Sequence, residues 1–351
     1  MRAEVKFSSK RFLMTLTLCA CSVILLQNYD LDTGVSFTFN ILALLTGLTV
    51  SFLFFLPAIF IRRRKLGDVL SIAAERSKPE RYAVSAVYFA YCVYAAEYFL
   101  LPYTDMFCKK YYTDTSPCFI ALILLGCCVY AAFKGANVIT RFGLFLFALA
   151  MLTNILMFGG SLSSLRLKGA DFGIHGSASA FFHNAEYFIT PCFISVIFAC
   201  LSGYTGRFKL RQPIIAIALT GLKFALVLFF ITFAVGGYAL RQEYQTFVLS
   251  RVAHFGAFAG VESFYMALST MSVFMIVSLL LCAMRKAVNK SGSVKLISAF
   301  AAILFGIHTL AVYNGLVYDM FTNPMLLNAF SLVTAVIIPS LYLKIGRNQR
   351  A

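Results

Sequence analysis

Charge is what this chain has least of. Of its 351 residues, 13% are Asp, Glu, Lys or Arg, and 14 are acidic. Soluble domains carry about a quarter of their residues as charges to coat their surface, so a soluble fold is excluded. Linkers, low-complexity tracts and any polar stretch long enough for a separate soluble domain are also missing. The whole chain, 1–351, is therefore expected to form one membrane domain. It has no nucleotide-binding glycine loop, catalytic-triad spacing or metal-ligand cluster, and His175, His183, His254 and His308 form no pattern. Nothing points to an enzyme, and no cofactor or metal is expected.

What is present is apolar sequence in long blocks. Hydrophobic residues make up 60% of the chain and the mean hydropathy is +0.83. A helix crossing the hydrocarbon core needs about 20 mostly apolar residues. Ten such blocks occur, at 12–27, 36–61, 82–103, 117–133, 138–158, 177–204, 213–238, 260–284, 294–313 and 325–345. The first lacks a small-residue cleavage site and nine more follow, so it reads as a span rather than a signal peptide. The fold class is all-α integral membrane with ten transmembrane helices.

The net charge of +16 is explained by placement. With the N-terminus inside, the inner segments hold 23 of the 30 Lys and Arg residues, the outer segments 6, and Lys223 lies within a span. An asymmetry near four to one fixes both termini on the cytoplasmic side. The basic excess reads as topology and attraction to anionic lipid, not as a nucleic-acid groove. Eight of the ten cysteines lie within spans as small packing residues, while Cys108 and Cys118, near the outer face, are the two placed where a bridge would form.

Five spans precede the segment 159–176 and five follow it, which inverts the second half relative to the first. Inverted repeats of this kind place a substrate site near the midplane, between discontinuous helices. Span six is the best candidate for a break, because it is long and contains Thr190-Pro191, and proline removes a backbone donor. A discontinuity at the matching depth of span one falls at Ala20-Cys21-Ser22, without Gly or Pro to signal it. After span two, the stretch 66–76 has apolar residues at helical spacing and is expected to lie as an amphipathic helix on the inner surface.

Polar residues inside spans mark candidate sites, because each is costly unless paired or hydrated. Lys223 is near mid-membrane and Glu97 in span three lies somewhat nearer the outer face. Either the two pair, or Lys223 stands beside the substrate like a bound cation, or each faces a hydrated crevice alone. Tyr88, Tyr91, Tyr94 and Tyr98 form a stripe that lines a polar cavity or packs with its hydroxyls bonded to nearby backbone. The candidate ligand-binding set is Ala20, Cys21, Ser22, Tyr91, Glu97, Asn184, Glu186, Thr190, Lys223 and Ser269.

Three segments resemble one family. The run 130–143, with Gly135 and Arg141, resembles the connection between spans four and five of the spore-germination receptor B subunits. These form the spore permease (GerAB-type) branch of the amino acid–polyamine–organocation superfamily. Gly260-Val261-Glu262-Ser263-Phe264 leads into span eight where that family has an acidic-basic pair. Asn184-Ala185-Glu186-Tyr187-Phe188 stands where it carries an acidic residue in span six. The chain departs from the pattern in having no tryptophan and in placing Ser263 at the basic position. The resemblance implies a germinant-sensing subunit that binds a small molecule, typically an amino acid, between spans one, three, six and eight. Its partners would be an A-type membrane subunit and a C-type lipoprotein in the lipid bilayer of the spore inner membrane. A secondary amino-acid or amine transporter on the same fold is the alternative, and a non-binding membrane scaffold a second one.

The topology gives a direct expectation. A fluorescent protein fused after Ala351 fluoresces and an alkaline phosphatase fused there is inactive, while a phosphatase inserted within 159–176 is active; the reverse pattern would invert the orientation.

Overall fold

The computed structural model describes residues 8–26, 35–64, 67–167, 172–205, 211–255, 258–288 and 294–348. Among these residues are ten helices long and apolar enough to cross a membrane. Span one is Ser9–Leu26, span two Phe37–Arg63, span three Lys78–Lys110, span four Pro117–Lys134 and span five Ala136–Ser161. Span six runs from Ala178 to Leu201 in two α-helical pieces, and span seven is Arg211–Phe230 extended by a π-turn, Ile231–Val235. Spans eight and nine are Glu262–Ala287 and Val294–Tyr313. Span ten is Pro324–Ser331 and Ile338–Asn348, joined by a π-segment at Leu332–Ile337. Among the described residues three short α-helices lie outside the spans: Val69–Arg76, Gln245–Val252 and Gly315–Thr322. A two-residue hairpin pairs His254 with Ala259 and Phe255 with Phe258.

Local chemistry explains the boundaries. Ser77 caps span three by accepting from Glu80 N–H, with Pro79 in its first turn, where the missing donor does no harm. Gly135 turns the chain between spans four and five at φ 94°, a backbone region that favours glycine.

The two halves pack as pseudo-symmetric mates. Span two packs on span six as span seven packs on span one, and span four packs on span eight as span nine packs on span three. This is the five-plus-five arrangement. Burial follows it: spans one, six and eight have 78%, 83% and 78% of their windows buried, whereas spans five and nine have 28%. Spans one, three, six and eight thus form the interior, and four, five, nine and ten present Leu, Ile and Phe side chains outward, such as Phe145, Ile155 and Leu310.

Two expectations are corrected here. Span one is an unbroken helix from Ser9 to Leu26, so the discontinuity expected at Ala20-Cys21-Ser22 is not there. With neither Gly nor Pro, nothing in that stretch opposes helix, and Ala20 is completely buried. The terminal carbonyls are met instead: Thr246 donates to Ile24 O at 2.9 Å and Tyr265 to Leu25 O. The helix Val69–Arg76 forms as expected, but Val69, Leu70 and Ala73 are buried against spans three and six, so its apolar face meets protein. All ten cysteines are free, Cys108 and Cys118 included.

Span six does break. Ala178–Ile189 and Phe193–Leu201 are joined by a 3-10 step at Thr190–Cys192, because Pro191 cannot supply a helical N–H. The step keeps right-handed helical dihedrals and does not unwind into extended chain. It releases carbonyls of residues 186 and 189, and neighbours take them. Asn328 Nδ2 donates to Glu186 O at 2.9 Å and Ser51 to Ile189 O at 2.9 Å. A buried carbonyl that loses its partner costs about 1–3 kcal/mol. Asn328→Leu is therefore expected to destabilise by about that amount, seen as a lower Tm in detergent.

Candidate functional site

The interior polar groups sort into three places. The first is the crossing of spans one, six and eight. Ser22 Oγ lies 2.9 Å from Ser272 Oγ and 2.7 Å from Leu18 O, tying span one to span eight. Ser269 is one turn earlier on the same helix face and fully buried. The 3-10 step of span six packs against span one. There Thr190 is completely buried and its hydroxyl has no hydrogen-bond partner among the described residues. The crossing is lined by small hydroxyl side chains, which offer both donors and acceptors.

The second place is the contact between spans one and seven. Cys21 Sγ meets Thr220 Oγ1 at 3.7 Å, and Lys223 lies one turn further along span seven, with Cys21 as its titratable neighbour. Lys223 is 7% exposed and makes no hydrogen bond or ion pair with any described residue. The third is the contact between spans three and nine. Glu97 Oε2 lies 3.1 Å from His308 Nδ1, both side chains having no exposure. Pairing of Glu97 with Lys223 is thereby corrected: the carboxyl faces span nine, the ammonium span one. His308, which looked patternless in sequence, is the partner, because a contact 211 residues away has no spacing to read.

The remaining predicted residues serve packing. Tyr91 bonds Ser331 Oγ at 2.9 Å, Tyr94 donates to Met320 O at 2.6 Å, and Tyr88 donates to Thr334 O in the π-segment of span ten. Tyr88 and Tyr91 thus join span three to span ten, and Tyr94 joins it to the helix Gly315–Thr322. Asn184 donates to Asn40 Oδ1 at 2.7 Å, fixing span six to span two. Glu186 is half-buried, with its side-chain Oε1 unpartnered. Ala20, Cys21, Ser22, Thr190 and Ser269 thus gather around span one, whereas Tyr91, Asn184 and Glu97 each belong to a different helix contact.

Both ends of the bundle carry ionic contacts that sequence reasoning missed. On the inner side Lys286 Nζ pairs with Asp68 Oδ2, at 12% and 3% side-chain exposure, and stands 3.8 Å from the centre of the Tyr204 ring. Asp68 also caps the helix Val69–Arg76, and any side chain at Gly203 would collide with its carboxylate. This latch ties the segment after span two to the inner ends of spans six and eight. On the outer side Lys109 meets Asp105 at 3.0 Å and Glu243 at 3.1 Å, and Tyr244 donates to Asp105 Oδ2 at 2.6 Å. Burial, then the Asp105 hydrogen bond and charge, raise the Tyr244 phenol well above its ordinary value, so it remains a donor at every physiological pH. A cavity of about 340 Å³ opens beside this group, lined by Leu101, Thr104, Asp105, Lys109, Glu243 and Tyr318 among others. A second, of about 640 Å³, lies between 163–166 and 232–237.

No family model matches the chain, and no curated protein matches it in sequence. Among solved structures it is similar to MhsT in complex with L-phenylalanine. The TM-score is 0.57 over 96% of this chain and 89% of that one, at 14% identity. The two share a fold: this is a multi-pass membrane protein of ten spans in two inverted halves.

Breaking the inner latch has a computable cost. Lys286→Met leaves the Asp68 carboxylate buried without its cation, a loss of about 3–5 kcal/mol. Removing the carboxylate as well, in Asp68→Asn with Lys286→Met, recovers most of it. Equal Tm values for the single and double variants would show that the pair is not coupled.

Proposed function

We propose that the protein recognises a small zwitterionic molecule, an amino acid, at the crossing of spans one, six and eight. We read it as the ligand-sensing B subunit of a spore germinant receptor, acting beside an A-type membrane subunit and a C-type lipoprotein in the spore inner membrane. The observation that carries ligand recognition is Thr190. Its buried, unpartnered hydroxyl sits in the break of the most buried span, and an unmet hydroxyl in an apolar interior is costly. A ligand's polar group would satisfy it. The fold shared with MhsT, solved with L-phenylalanine, supports the ligand class. The receptor reading rests on the three sequence segments that resemble the germination B subunits.

Lys223 fits this role. A fixed ammonium beside span one supplies positive charge without a bound ion, so ligand recognition does not depend on an ion gradient. Ligand response follows if the ligand binds one conformation better than another. Secondary transport is the second reading, favoured by the end closures. The inner end is closed by the buried ion pair of Lys286 with Asp68, while cavities lie at the other end, the asymmetry that alternating access exploits.

Thermal unfolding against a panel of amino acids, with the A- and C-type subunits co-expressed, is the test. A specific ligand raises Tm with concentration, by about 2.7 kcal/mol of stability at a hundred times Kd. Thr190→Val abolishes the rise, and Lys223→Met weakens binding by about tenfold or more, at 1.4 kcal/mol per decade. No ligand-dependent shift in the assembled complex leaves the scaffold reading. Counter-flow of the same ligand in proteoliposomes separates transporter from sensor: uptake overturns the receptor reading, and binding without uptake supports it.

A further inference from the structure

The Glu97–His308 contact belongs to neither the ligand crossing nor the latch, and its hydrogen bonds fix where its protons lie. The Thr104 hydroxyl donates to Leu101 O at 3.0 Å, so it offers a lone pair to His308 Nε2, 3.4 Å away. Nε2 therefore carries a hydrogen. Nδ1 then either accepts from a protonated Glu97 carboxyl or, in the imidazolium form, donates to a carboxylate. In both forms one proton lies between Oε2 and Nδ1, 3.1 Å apart. Without it, a bare carboxylate faces a ring lone pair. Glu97 Oε1 has no hydrogen-bond partner among the described residues, so none of them would stabilise the charge in this zero-exposure site.

The surroundings supply no substitute. Span four carries thiols and Tyr130 ahead of Lys134 at its inner end, and span eight has no titratable residue between Tyr265 and Cys282. Span nine has Lys295 and Tyr313 at its two ends, and the helix Gly315–Thr322 brings Tyr318 and Asp319. Along span three the nearest carboxylate is Asp105, eight residues away, about 12 Å at 1.5 Å per residue. The route outward is short, because Thr104 itself lines the cavity that holds Asp105, Lys109 and Glu243.

We propose that Glu97 and His308 form a proton-binding site, loaded from the outer face through the cavity at Thr104, and that release of the proton parts span three from span nine. The step balances: the proton passes to cavity water or an outer carboxylate, and the pair changes from net neutral to one negative charge. That charge is unstable where it forms, so deprotonation is coupled to opening of the contact. The site stands independently of what binds at the span one crossing.

The test is Tm of the full chain in lipid nanodiscs between about pH 4 and 8. Above about pH 6.5 an unfolded chain's histidine has released its proton while the folded pair keeps one, so wild-type Tm falls as pH rises through that range. Glu97→Gln puts an amide N–H where the shared proton was, with nothing to release, and removes the fall. In His308→Gln the carboxyl alone holds the proton, so the fall begins near the ordinary carboxylate range, about pH 4.3. His183→Gln, at an exposed histidine, behaves as wild type. A flat wild-type profile above pH ~6.5, or a fall that survives in Glu97→Gln, overturns the proposal. If Glu97→Gln does not fold, the onset in His308→Gln decides, and an unchanged onset overturns it. Thr104→Val removes the acceptor for Nε2–H and lets the neutral ring carry its hydrogen on Nδ1, so the folded pair need not keep the extra proton and the fall shrinks; an undiminished fall overturns the role of Thr104.

Discussion

Hydrocarbon offers backbone groups no water, so each carbonyl that a helix irregularity releases must find a donor within the protein. The architecture here follows from that demand. The proline step of span six frees Glu186 O and Ile189 O, which Asn328 and Ser51 take. In span ten the π-segment ahead of Pro339 frees Thr334 O, which Tyr88 takes. Where span one ends, Thr246 and Tyr265 meet Ile24 O and Leu25 O. Each donor comes from a different helix, so the irregularities act as the bonds that set spans one, two, three, six, eight and ten against one another.

The same constraint separates structure from function among the polar residues. Groups with a full set of partners, such as Tyr91 with Ser331 or Asn184 with Asn40, contribute packing and register. Groups left incomplete have capacity for something else, among them the Thr190 hydroxyl, Glu97 Oε1 and the Lys223 side chain. They lie on three different contacts of the interior bundle, spans one with six, three with nine and one with seven. A movement of span one alters the contacts of Thr190 and Lys223, and a movement of span three alters that of Glu97.

The ends of the bundle differ in kind. Inside, a nearly buried Lys286–Asp68 pair is backed by the Tyr204 ring and by close approach at Gly203. Outside, Lys109, Asp105 and Glu243 are partly exposed around a cavity, and exposed pairs are worth little. The inner closure is therefore the stronger one in this conformation.

Sequence by itself determined the ten spans and the five-plus-five halves, because hydropathy and the need for about 20 apolar residues are local properties. It also located the span six break, since Thr190-Pro191 carries its own steric signal. It misjudged span one, where symmetry suggested a break that Ala20-Cys21-Ser22 had no local reason to make. Tertiary structure alone decided the partners: His308 for Glu97, Asn328 for the freed carbonyl, Lys286 for Asp68. Those contacts join residues 211, 142 and 218 positions apart. Helical periodicity shows which face a residue occupies but not which helix meets that face, and only packing brings the two together.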